Sequence, residues 1–164
     1  FDMCRLGISM YGDQAAPDTH KLIDLRPAMS VHARITNVMT VPMSEGVSYG
    51  MNYRSPGSVK ICTVPIGYAD GLIRLLSGKI DFAFNDRAVH QVGNICMDQF
   101  MLAVDVNSTR SYKPTGPVEA GDVVTLIGAD GDERITADEM AAQRRTINYE
   151  VVCDFGMRLQ KIYT

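Results

Sequence analysis

The stretch Lys79-Ile80-Asp81-Phe82-Ala83-Phe84-Asn85-Asp86-Arg87-Ala88-Val89-His90-Gln91-Val92 decides the fold. Ile80, Phe82 and Phe84 alternate with Asp81 and Ala83, the two-residue period of a strand whose faces differ. Asn85-Asp86 supplies the short polar pair that a tight hairpin turn requires. Ala88 to Val92 is then the return strand, and the sheet it begins is antiparallel.

The same period recurs outward from the hairpin. Leu25 to Val41 starts near Pro27 and sets Val31, Ala33 and Ile35 against His32, Arg34 and Thr36. Pro42 to Gly46 is a turn. Val59 to Ile66 sets Val59, Ile61 and Thr63 against Lys60, Cys62 and Val64. Cys96 to Val106 sets Met97, Gln99, Met101 and Ala103 against Asp98, Phe100, Leu102 and Val104. Ser108 to Gly121 holds Pro114, Gly116 and Pro117 and is a loop. Val123 to Ile127 is a compact apolar strand. Met3 to Met10, bounded by Gly12, is expected as a buried strand, and Met157 to Tyr163 as a closing one. One helix is expected, Thr136 to Arg145, with Thr136 and Glu139 spaced as a capping box and Met140 and Ala141 facing inward. The expected fold class is mainly β: an antiparallel, Greek-key-like barrel with one short helix.

Composition excludes several classes of function. At 164 residues the chain makes one domain, with 46% hydrophobic and 21% charged residues, which argues against disorder. Sixteen basic and 19 acidic residues leave a net charge of −3, and no basic run exceeds Arg144-Arg145. Neither nucleic acid nor a membrane surface is an expected partner. Cys4, Cys62, Cys96 and Cys153 form no CxxC pair and sit in apolar runs, as buried reduced thiols of a cytoplasmic protein would. His20, His32 and His90 are scattered, and no metal site is expected. No signal peptide or membrane span is apparent.

Five short motifs carry candidate chemistry: Arg5-Leu6-Gly7-Ile8, Val47-Ser48-Tyr49-Gly50, Ile66-Gly67-Tyr68-Ala69-Asp70-Gly71, Val92-Gly93-Asn94-Ile95-Cys96-Met97-Asp98-Gln99 and Ile147-Asn148-Tyr149-Glu150. Each has a plainer reading. Tyr49 fits an aromatic at a sheet edge, Asp70-Gly71 a turn pair, Met97 a core residue, Arg5 an exposed edge charge, and Tyr149 a strand start. A phenol, with an ordinary pKa of about 10, serves as a base only beside positive charge or in a tightly coupled proton transfer.

In this order, from Arg5 to Tyr163, the motifs resemble the alanine racemases. The resemblance covers the end of that family's pyridoxal-phosphate barrel and all of its β-rich second domain. It implies a division into residues 1–24, a remnant strand from the end of the (β/α)₈ barrel, and residues 25–164, the C-terminal β domain. It implies a cytoplasmic, head-to-tail homodimer that interconverts L-alanine and D-alanine for peptidoglycan of the cell wall. The β domain of one subunit would complete the active site of the other.

By this resemblance Tyr49 is the catalytic tyrosine, moving the α proton on one face of the substrate while a lysine acts on the opposite face. Arg5 would face the pyridine nitrogen of pyridoxal 5′-phosphate and, staying charged, keep that nitrogen unprotonated. The ring would then withdraw electrons less strongly, which favours return of the proton over transamination. Gly7 and Ile8 would give backbone donors to the cofactor phosphate, and Tyr149 its hydroxyl. Met97 would offer its N–H to the substrate carboxylate. Tyr68 and Asp98 would line the pocket and its mouth, and Arg74 the access channel. Asn94 departs from the pattern, since many members carry arginine there. None of Lys21, Lys60, Lys79, Lys113 and Lys161 matches the cofactor lysine. The chain beginning at Phe1 is therefore expected to be a fragment, inactive alone, with a processed complete protein as the alternative. Competing readings are a non-catalytic β module for dimerisation or binding, and a racemase of serine or of broader specificity. Pyridoxal-phosphate decarboxylases share the plan but not these motifs.

Overall fold

The decisive hairpin forms where the alternation places it. A computed structural model describes residues 1–16, 23–104 and 116–163. In chain order its strands are β1 (Val31–Arg34), β2 (Asn37–Val41), β3 (Gly46–Val47), β4 (Tyr53–Arg54), β5 (Val59–Val64), β6 (Asp81–Ala83), β7 (Ala88–Val92), β8 (Phe100–Ala103), β9 (Val123–Asp130) and β10 (Glu133–Ile135). The helices α1 (Ala137–Arg144) and α2 (Asn148–Asp154) follow. β6 and β7 pair antiparallel with Phe82 opposite Val89. Asn85 and Asp86 both take left-handed backbone, at φ 51° and 60°, which matches the right-handed twist of the strands they join.

The main sheet runs β1-β9-β6-β7-β8-β5-β2, with β10 beside β9, and every pairing is antiparallel. Within it the order β9-β6-β7-β8 is a Greek key: three consecutive strands, with the fourth returning beside the first. The two ends of this path, β1 and β2, are separated in the chain by Ile35 and Thr36 alone. Ile35 N–H donates to Asp122 O (2.8 Å) and Thr36 N–H to Thr63 O (2.9 Å), so adjacent residues bond to opposite ends of the sheet. The sheet must curl until its ends meet, which makes it barrel-like. The single strand expected over Leu25 to Val41 is thus two strands that exchange partners at one point.

Two cores lie on opposite faces. Cys62, Val64, Phe82, Phe84, Phe100, Leu102, Leu126 and Met140 belong to the larger one. Val41, Val47, Val59, Ile61, Val92, Cys96, Met101 and Ala103 form the smaller one, with Tyr53 packed against it. β5 and β8 feed both, because their alternate residues point to opposite sides. The Phe82 and Phe100 rings pack at 4.9 Å between centroids.

α1 starts with the expected box: Glu139 N–H donates to Thr136 Oγ1 (3.1 Å) and Thr136 N–H to Glu139 Oε2 (2.9 Å). Other expectations fail for identifiable reasons. Met3 to Met10 is no strand, because left-handed backbone at Gly7 and Gly12 brackets a 3-10 turn, Gly7–Tyr11. Of its apolar side chains only Ile8 is buried, while Met3, Leu6 and Met10 are exposed. Ile147 to Glu150 opens a second helix, α2, rather than a strand. Residues 155–163 form turns and irregular chain, with no strand. Cys62 and Cys96 are buried, but Cys4 and Cys153 are exposed. Most of the loop expected over Ser108 to Gly121 lies outside the described residues.

Asn148 fastens the N-terminal segment to the helices. Its Nδ2 donates to Gln14 O (2.9 Å) and to Asp138 Oδ1 (2.8 Å). Neighbouring Asp13 is buried. Burial first, then the charge of Asp138, raises its carboxyl above the ordinary 3.8, while Arg134 opposes both. A carboxyl raised on folding stabilises fully below its unfolded value, and that contribution is lost as pH rises through the folded value. Asp13→Asn should therefore be more stable than the parent at neutral pH, with the difference closing below pH 3.8; urea midpoints measured across this range check it. Leu102→Ala, at a fully buried position in β8, should cost about 2–5 kcal/mol in the same assay.

Candidate functional site

Tyr49 sits at the tip of the β3–β4 hairpin, which pairs Val47 with Tyr53 above the smaller core. The residue before it, Ser48, is held at φ 67° and ψ 175°, a conformation essentially reserved for glycine that costs on the order of 1–3 kcal/mol. Asn94 secures it. Asn94 O accepts from Ser48 Oγ (2.8 Å), and its side-chain amide donates to Tyr49 O (2.6 Å). Asn52 Nδ2 donates to Asn94 Oδ1 at 3.4 Å. The side chain of Tyr49 is left 75% exposed, while its backbone is fixed. Asn94, read from the sequence as a missing charge, thus acts here as a strut.

The turn bearing Tyr68 docks on the loop bearing Met97. Tyr68 N–H donates to Cys96 O and Ala69 N–H to Met97 O, both at 3.0 Å. This approach requires Gly67, since a Cβ there would lie 2.3 Å from both the Cys96 and Met97 carbonyl oxygens. Asp70 is buried, and its Oδ2 accepts from Gly67 N–H at 2.9 Å, closing the turn. On the other side of the loop, Ser77 Oγ accepts from Ile95 N–H (2.9 Å).

Three loops therefore meet around one open groove of about 720 Å³. It is lined by Tyr49, Tyr68, Arg74, Asn94, Ile95, Cys96, Met97, Asp98 and Gln99. Arg74 brings a cation to the lining that holds Tyr49. Five expected residues, Tyr49, Tyr68, Arg74, Met97 and Asp98, share this groove.

The other four lie outside its lining. The position a Cβ would take on Gly7 is 3.9 Å from the Tyr149 hydroxyl, so these two are neighbours. Ile8 is buried beside them in the chain, and Arg5 is exposed on the preceding segment. Among the described residues no group of three or more His, Cys, Asp or Glu side chains is arranged to hold a metal ion, and no helix is long and apolar enough to cross a membrane.

Two supporting residues were not legible in advance. Gln91 is fully buried, donating to Val92 O (2.9 Å) and Gly93 O (3.1 Å) and accepting from Gly78 N–H (2.6 Å). Its place in an alternating strand made it one more β residue. Arg158, beyond α2, reaches back to Asp98 (2.6 Å) and Asp70 (3.2 Å). Contacts across 60 residues leave no local signal in sequence.

Comparison with known proteins agrees with this architecture. Residues 28–163 match the family "Alanine racemase, C-terminal domain". The chain therefore belongs to the alanine racemase C-terminal domain family. It is 41% identical over 162 residues to the alanine racemase of Synechocystis sp., covering 99% of this chain and 41% of that protein. The structure of alanine racemase from Bacillus anthracis with bound L-Ala-P superposes with a TM-score of 0.83 at 37% identity, over 93% of this chain and 37% of that one. A histidine racemase from Leuconostoc mesenteroides subsp. sake also matches, with a TM-score of 0.80 at 32% identity, over 95% of this chain and 40% of that one. The chain spans about two fifths of the length of the curated relatives it matches.

Gly67→Ala should separate the Tyr68 turn from the Met97 loop. A loss of about 1–3 kcal/mol is expected from the forced displacement, read as a lowered urea midpoint. Faster amide exchange at Tyr68 and Ala69 should accompany it.

Proposed function

We propose that this chain is the C-terminal part of an alanine racemase dependent on pyridoxal 5′-phosphate, and that Tyr49 is one of its two proton-transfer groups. The observation that carries the reading is the groove itself. Three loops far apart in sequence present Tyr49, Tyr68, Met97 and Asp98 to one opening, beside the cation of Arg74. Inverting a stereocentre needs a proton removed on one face and returned on the other, hence two groups that cannot share a side. Tyr49, projecting on a braced backbone, supplies one side; a lysine outside this chain supplies the other.

The residues fit the cofactor. At Gly7 the missing side chain leaves an opening faced by the Tyr149 hydroxyl. Gly7 and Ile8 would give backbone N–H donors there, and with the hydroxyl these suit the oxygens of a phosphate. Arg5 would donate to the pyridine nitrogen and remain charged. When bound, pyridoxal phosphate draws electrons from the substrate's α carbon and so weakens its C–H bond. Met97 N–H would hold the substrate carboxylate, and Tyr68 and Asp98 would shape the mouth of the pocket. Residues 1–24 complete the cofactor barrel in this reading, and residues 25–164 form the β domain. That domain faces the barrel of a second, head-to-tail subunit. The reaction supplies D-alanine for peptidoglycan in the cytoplasm.

A second reading, a racemase of another or broader substrate range, draws support from the structural likeness to a histidine racemase. Side-by-side assays with alanine, serine and histidine separate the two. In the full-length protein Tyr49→Phe should lower racemisation by at least about 10²-fold. Exchange of the α proton with deuterated solvent should be lost from one enantiomer only, and the dimer should persist. Near-normal turnover of the variant would mean a non-catalytic module instead.

A further inference from the structure

We infer that Arg158 is a positioning residue that latches the two substrate-side loops together. The inference rests on the reading above, in which Met97 and Tyr68 face the substrate. Arg158 lies in the turn after α2. Its Nη2 donates to Asp98 Oδ1 at 2.6 Å, and its Nε lies 3.2 Å from Asp70 Oδ1. Nε and Nη2 form one edge of a planar guanidinium, so a single side chain spans two carboxylates from different loops.

The two carboxylates are not equivalent. Asp98 is exposed and directly follows Met97, so holding it holds the backbone that presents the Met97 N–H. Asp70 is buried, with one oxygen already closing the turn under Tyr68 through Gly67 N–H. Its other oxygen meets Arg158, so removing that cation takes away the charged partner of a buried carboxylate. The end of α2 packs on the same turn: a Cβ on Gly71 would lie 2.4 Å from Asp154 O. That contact brings the Arg158 turn to the site. Exposed ion pairs contribute little to stability, so the Asp98 arm matters for orientation. A lysine, with one point charge and no planar fork, cannot meet both carboxylates in this geometry.

The test uses Arg158→Ala and Arg158→Lys in the full-length holoenzyme, with amide exchange and steady-state kinetics on each. Both variants should exchange faster at residues 67–71 and 96–99, with β7 unchanged. KM for alanine should rise about tenfold with kcat held within about twofold, the pattern of lost uniform binding. Unchanged exchange in those segments would overturn the latch. Faster exchange with unchanged KM would overturn the positioning role and leave a structural one. Full rescue by lysine would overturn the requirement for a two-pronged cation. The exchange measurement does not depend on turnover, so failure of the latch is distinguishable from failure of the racemase reading, which Tyr49→Phe decides.

Discussion

β8 is four residues long and buried on both faces. Phe100 and Leu102 enter the larger core, Met101 and Ala103 the smaller one. A strand with no solvent face cannot shift register by one residue without exchanging the contents of two cores, so its placement is rigidly specified. The rest of the architecture is arranged about it. β7 and β5 flank it, the loop leading into it carries Met97 and Asp98, and the smaller core beneath supports the hairpin that carries Tyr49. The groove is therefore an outgrowth of the most constrained strand rather than an appendage on flexible loops.

The bracing of the groove shows a division of labour between backbone and side chain. Asn94 and Gln91 spend their amides on main-chain carbonyls, Gly67 lets two backbones touch, and Asp70 closes a turn with one oxygen. Asn94 itself lines the opening, while Gly67 and Asp70 stay behind the Tyr68 that faces it. The strained backbone at Ser48 belongs to this pattern, since a residue held off its preferred conformation must be fixed by its surroundings. A reactive side chain on a fixed main chain begins near its working position.

What could be read from sequence followed the range of the interaction. The alternations in β5, β6 and β8 and the Asn85-Asp86 turn are local, and they specified faces and hairpin, but the strand expected from Cys96 begins only at Phe100, because residues 96–99 form the loop on which the Tyr68 turn docks. The Thr136 capping box is local too, and it located α1. α2 was lost because Val151 and Val152 favour strands while its seven residues are too few to show a helical period. β10 was lost because its three residues carry no pattern apart from β9. The apolar run Met3 to Met10 reads as core from its composition, yet most of its apolar side chains are exposed. Tyr49, Tyr68, Met97 and Asp98, singled out by residue type, come together at one groove. The struts that hold its loops, Asn94, Gln91 and Arg158, act through contacts that only the fold creates.

The exchange of partners at Ile35 and Thr36 has a further consequence. One ribbon supplies both terminal strands of the main sheet, so its two free edges, on β1 and β2, leave from a single corner of the chain. An unpaired strand edge is a template for recruiting another chain, and proteins with open sheets guard theirs with charge, proline or a bulge. Here those terminal strands are short, four residues in β1 and five in β2. The other edges, on β10 and the β3–β4 hairpin, are shorter still, three and two residues per strand. Such lengths offer too few backbone groups to seed fibril-like stacking. A domain with edges this short can hold apolar side chains on its outside, for a partner to cover, with little risk of strand-by-strand aggregation.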